Sequence, residues 1–192
     1  MGWKFNEMER KEIVRRVEAH STPKQYLNRA SAYFKSASIL IESSTQTAVS
    51  LELVTPILTL LGIAYELTFK AWKLSKGGTV KEGEGHDLIR LLQECIGEEI
   101  PFVFQETADR VRQNIRGKFW GSSMIPQLNQ IAFDDHFHNL NETYGKYPYL
   151  ARYPVSQRLP LIDVELLCGV GQELCNAICP HCLGSKFKGS KA

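Results

Sequence analysis

Residues 55–75 read TPILTLLGIAYELTFKAWKLS, and this stretch decides the fold class. Thr55-Pro56 is a helix-start signal, a capping hydroxyl followed by a residue whose missing N–H is harmless in a first turn. Pro56 alternatively kinks a helix already begun near Ser50. Downstream, Ile57, Leu58, Leu60, Leu61, Ile63, Ala64, Leu67, Phe69, Ala71, Trp72 and Leu74 cover nearly every direction around a helical axis. A helix apolar on most sides is a central helix, surrounded by others. Lys76-Gly77-Gly78 stops it, and the charged, glycine-containing stretch to Gly85 reads as a mobile surface loop.

The same helical spacing extends in both directions, with little period-two alternation, which predicts an all-α fold. Upstream, Met8, Ile13, Val14 and Val17 suggest a short helix between Asn6 and His20. Ser21-Thr22-Pro23 opens a long helix to about Ser43, with an apolar stripe through Tyr26, Leu27, Ala30, Tyr33, Phe34, Ala37, Leu40 and Ile41. Further helices are expected at about Asp87 to Ile96, Pro101 to Ile115, Ile125 to Tyr144 and Leu161 to Cys179. Between the last two, Pro148, Pro154 and Pro160 impose an extended loop. The expectation is an up-and-down bundle of four to six helices, one domain over residues 1–183, with a frayed basic tail over 184–192.

Composition narrows the function classes. The chain has 192 residues, 43% of them hydrophobic, and 23 Lys plus Arg against 21 Asp plus Glu give a net charge of +2. That balance gives no global field for nucleic acid, so any such surface is a local patch. The uncharged, mostly apolar run Leu53 to Tyr65 falls short of the roughly 18 apolar residues of a membrane span. Met1 to Arg10 carries charges and no apolar segment of the secretory kind, so a cytoplasmic, membrane-free protein is expected. Five cysteines, an odd number, then need form no disulfides.

Several clusters could carry chemistry. Glu66 and Lys70, four apart with the acid first, make an ion pair on the most apolar helix, lining a groove or bridging a surface edge. In Gly85-His86-Asp87-Leu88, Asp87 can cap the following helix, while His86 is either structural or faces a ligand. Within Asp134-Asp135-His136-Phe137-His138, helical geometry sends His136 and His138 apart, so they cannot share a metal. Asp134, His138, Asn141 and Glu142 share one side, as an acid/base histidine with carboxylates, as one half of a metal site, or as a solvated face. Cys168, Cys175, Cys179 and Cys182 fall on one helical face, which favours core packing over zinc or a Cys179-Pro-His-Cys182 redox pair. Arg110, Arg112, Arg116 and Lys118, followed by Phe119-Trp120, could stack and hold a single strand, or be solvated cations beside loop-pinning aromatics. The proline loop, with Tyr147, Tyr149 and Tyr153 among Lys146 and Arg152, offers the same choice.

Taken in order, the long helix, Ile63-Ala-Tyr-Glu-Leu-Thr-Phe-Lys70, Gly85-His-Asp-Leu88, Leu140-Asn-Glu-Thr-Tyr144, Arg152-Tyr-Pro154 and the final helix resemble the HEPN superfamily of prokaryotic helical domains, over about Gln25 to Cys179. The resemblance implies a bundle of four or five helices, a homodimer with a shared cleft, and a role in toxin–antitoxin, phage-defence or RNA-processing systems. It implies no cofactor and, in the active members, metal-independent ribonuclease chemistry at an Arg-x(4–6)-His motif near the fourth helix. This chain departs from that motif. Its one arginine so placed before a histidine is Arg15, ahead of His20, in the first helix. Either the nuclease site is rebuilt, with His138, Tyr144 and Arg152 catalytic, or the domain binds without cutting. Binding is the favoured expectation, with RNA, a nucleotide or a partner protein such as a cognate antitoxin as ligand. Glu66, Lys70, His86, Asn141, Arg112, Arg116 and Lys118 are then the contacts. The remaining alternative is a purely structural interaction module.

Overall fold

The computed structural model describes residues 21–44, 50–80, 86–145 and 161–184, and it is all-helical over these residues. The helices are α1 (Pro23–Ser44), α2 (Ser50–Ser75), α3 (Leu88–Gly97), α4 (Phe104–Arg112), α5 (Ile125–Leu128), α6 (Phe133–Tyr144) and α7 (Val164–Gly184), with a 3-10 turn at Ser122–Met124. The proposed helix before His20, the loop around Gly83, the proline loop over 146–160 and the tail after Gly184 lie outside the described residues.

Helix α1 starts where its capping chemistry says it should. The Thr22 hydroxyl accepts from the Gln25 N–H at 3.2 Å, and the Gln25 side chain accepts from the Thr22 N–H at 2.8 Å. Two donors that a helix start leaves over are thereby satisfied reciprocally. Of the two starts considered for α2, the one at Ser50 holds, and Pro56 sits inside the helix. By length and composition α2 could cross a membrane, yet 56% of that window is buried inside the fold. Its apolar faces go to other helices: α1, α2 and α7 pack on one another, with α3 and α6 laid on α2 and α4 on α7. Tyr65 marks the centre, fully buried, edge-on to Phe34 of α1 and Phe137 of α6, its hydroxyl donating to the Leu167 carbonyl at 2.7 Å.

Three expected helices differ from the sequence reading. The stretch from Ile125 to Tyr144 is not continuous but breaks between Leu128 and Phe133. Side chains take the carbonyls there: Arg112 Nη2 donates to Ile131 O at 2.6 Å, and His136 Nε2 to Leu128 O at 3.4 Å. Ala132 turns extended and α6 restarts behind it. Helix α4 is shorter than expected, beginning at Phe104 after an extended Val103 and tightening into turns beyond Arg112. By contrast α7 outruns its expected end, passing through Pro180 to Gly184. Cys168, Cys175 and Cys182 face inward from it and Cys179 is half-buried, as packing of that face requires.

Candidate functional site

The site assembles where α6 ends, α3 begins and α2 passes beneath both. Tyr144, the last residue of α6, lies flat against Gly62, where any Cβ would overlap the ring. That close approach lets the phenol reach Glu66, one turn further along α2, and donate to Oε2 at 2.7 Å. Gly145 is equally constrained, since a Cβ there would collide with the His86 carbonyl. Asn141, one turn back, is buried and its Oδ1 accepts the Leu88 N–H at 2.7 Å. Asp87 accepts from Arg90 N at 3.1 Å, so α3 is capped by the residue just before it and by a side chain of α6.

Glu66 is the hub of this junction. Lys70 Nζ donates to Oε1 at 2.7 Å, while His86 Nδ1 and the Tyr144 hydroxyl both meet Oε2 at 2.7 Å. The Glu66 side chain is only 9% exposed. Burial pushes its carboxyl up, but the His86 hydrogen bond, the charge and hydrogen bond of Lys70 and the Tyr144 hydroxyl outweigh this and hold it down at about 2. An ionised carboxylate only accepts, so His86 carries a proton on Nδ1, which leaves Nε2 as the basic nitrogen of the neutral ring. His86 also packs edge-on to Tyr144 and keeps 38% of its side chain in contact with solvent.

Among the residues singled out from sequence, Glu66, Lys70, His86, Asn141 and Tyr144 are thus brought together. His138 is not among them. It lies on the exposed side of α6, its Nε2 3.5 Å from Glu142 Oε1. Asn141 leaves the solvated side on which the helical projection placed it, and turns inward to α3. Arg152 falls outside the described residues.

Nothing matches in three comparisons. No family model, no curated protein and no solved structure is similar to the chain. The reading of the site therefore rests on its chemistry.

The basic segment after α4 is divided in its use. Arg112 turns inward, giving Nη2 to Ile131 O and lying 3.5 Å from Asp109, and only 15% of its side chain is exposed. Lys118 faces Glu42 at 3.5 Å, and Arg110 faces Glu173 at 3.7 Å. Arg116 is exposed. The aromatics do not form the open stacking platform that the spacing allowed. Phe119 is buried with its N–H on Glu165 Oε1 at 2.9 Å, and Trp120 donates Nε1–H to Ile162 O at 2.8 Å. They pin the loop to the start of α7.

A second polar junction escaped the sequence reading. His136 is fully buried, its Nδ1 accepting the Asp163 N–H at 3.2 Å, and the Asp163 carboxylate caps α7 through Leu166 N at 2.9 Å. Burial lowers the His136 imidazole and raises the Asp163 carboxyl to about 6. The available signal was Asp163 three residues before Leu166, a helix-start spacing. No group of three or more His, Cys, Asp and Glu suited to a metal ion occurs among the described residues.

Proposed function

We propose that this chain is a HEPN-like helical domain, working as a homodimer in a prokaryotic defence or toxin–antitoxin setting, that binds RNA without cutting it. The observation that carries the reading is the arrangement of the polar junction. Lys70 places an ammonium on the Glu66 carboxylate with N–H groups left for a phosphodiester to accept from, and the solvent-reaching His86 imidazole beside it donates from Nε2 in its protonated form. The groups considered for cleavage are deployed otherwise. Tyr144 spends its hydroxyl proton on Glu66, and His138 faces solvent beside Glu142.

The test is purified protein incubated with labelled RNA in EDTA, together with its mass by light scattering. RNA retained intact by a dimer, and retained less by Lys70→Gln and His86→Gln, supports the proposal. Cleavage that His138→Ala or Arg152→Ala abolishes overturns it in favour of a nuclease. Neither retention nor cleavage leaves a structural interaction module, whose ligand is a partner protein.

One observation favours a second reading, a metal-independent endoribonuclease with a rebuilt site. A carboxylate that fixes the proton on Nδ1 and leaves Nε2 basic is how a general base is oriented. In that case His86 does the proton transfer and His138 does not. Cleavage in EDTA that His86→Ala removes and His138→Ala leaves intact would establish it.

A further inference from the structure

A cavity of about 260 Å³ opens between α1, α7 and the end of α4, and it shares no residue with the Glu66 junction. Its volume lies below the roughly 300–1,000 Å³ typical of drug-sized ligands, so its occupant is small. Ile41, Val111 and Ile115 supply apolar walls, and the buried Cys168 lies among them. The Cys168 thiol is already engaged, donating to Phe34 O at 3.5 Å and accepting from Gln172 Nε2 at 3.7 Å.

The charges on this cavity are unequal in their commitments. Lys118 and Glu42 already face each other, at 3.5 Å. Arg116 lines the same cavity with no hydrogen bond or ion pair among the described residues. Glu165 uses Oε1 to accept the Phe119 N–H, and its other oxygen takes no partner there. The guanidinium and the carboxylate therefore border one small space without meeting. Ser38 adds a hydroxyl with no hydrogen bond among the described residues, whereas Ser36, Ser43 and Ser44 on the same helix all bond back to backbone carbonyls.

A cation and an anion facing one cavity without neutralising each other fit a ligand that carries both signs. We infer that the cavity binds a small zwitterion, an α-amino acid with an aliphatic side chain. Arg116 takes its carboxylate, in the fork geometry a guanidinium offers. The outer oxygen of Glu165 takes its ammonium, Ser38 adds a hydrogen bond, and the side chain lies against Ile41, Val111 and Ile115. This site is separate from the Lys70 and His86 junction on which the RNA reading rests.

Calorimetric titration of the full chain with L-leucine, leucinamide and N-acetyl-leucine, without RNA, tests the assignment. Leucine binds, and each analogue, lacking one charge, binds about tenfold or more weakly, the loss expected for one charge-assisted hydrogen bond. Arg116→Gln erases the preference for leucine over leucinamide, and Glu165→Gln erases the preference over N-acetyl-leucine. Glutamine at 165 keeps an oxygen for the Phe119 N–H, and the thermal midpoints of both variants check that the loop still docks. No binding of leucine, isoleucine or valine at millimolar concentration overturns the inference. So does equal binding of all three leucine compounds, or preferences that survive both substitutions.

Discussion

Two buried junctions sit at opposite ends of α6, and they treat charge in opposite ways. At its C-terminal end, Tyr144 joins Lys70 and His86 in surrounding one carboxylate with three side-chain donors. At its N-terminal end, His136 and Asp163 depend mainly on backbone partners. Burial raises both carboxyls. In Glu66 the donors outweigh it and the group sits at about 2, while in Asp163 burial prevails and the group sits at about 6. The supply of donors, more than depth, decides whether a buried acid keeps its charge.

The largest expected effect breaks the first junction. Glu66→Ala leaves the Lys70 ammonium and the Tyr144 hydroxyl without their acceptor, and urea unfolding should show a loss of about 3–5 kcal/mol. Next, Gly62→Ala forces a methyl group into the Tyr144 ring and should cost about 1–3 kcal/mol, despite alanine's better helix propensity.

pH separates the junctions. Glu66 is held below its ordinary 4.5, so its contribution is complete above pH 4.5 and is lost as pH falls towards 2. Asp163 is raised above 3.8, so its contribution is present below that value and is lost as pH rises through 6. Asp163→Asn, which keeps an oxygen for the Leu166 N–H, should therefore stabilise the fold by about 1–2 kcal/mol at pH 7 and hardly at all at pH 4. Glu66→Gln should instead remove the acid-side loss. Equal pH profiles for wild type and both variants would refute the contrast. The smallest effect belongs to His138→Ala, which removes an exposed pair from the outer side of α6 and should stay within about 0.5 kcal/mol.

Much of this molecule can be read from local signals. The Thr22–Gln25 box, the Asp87 cap and the all-round apolar pattern of α2 each act within a few residues, and each leaves a mark in the sequence. Glu66 with Lys70 was legible for the same reason, a one-turn spacing. The meeting of that pair with His86 and Tyr144 was not, since 58 residues separate the histidine from the tyrosine. The resemblance grouped Tyr144 with His138 and Arg152 as partners of a rebuilt site, whereas the docking of α6 turns the tyrosine into the core. A glycine inside an otherwise bulky central helix was the sequence's trace of that contact. The break before Phe133 was only partly local, because His136 takes the Leu128 carbonyl from within the stretch while the side chain on the Ile131 carbonyl comes from Arg112. The cysteine face of α7 was visible because a periodic stripe requires no partner to be recognised.

That face, together with Cys95 of α3, makes the protein its own unfolding clock. Burial lifts the thiols of Cys95 and Cys168 to about 12 and those of Cys175 and Cys182 to about 11, and carbonyls of neighbouring helices accept from three of them. Alkylation requires the thiolate, so a folded chain offers these four sulfurs almost no reaction. Cys179 alone is half-buried. A reagent pulse should mark that position first, and the remaining four together only when the bundle opens, counting openings one molecule at a time by mass.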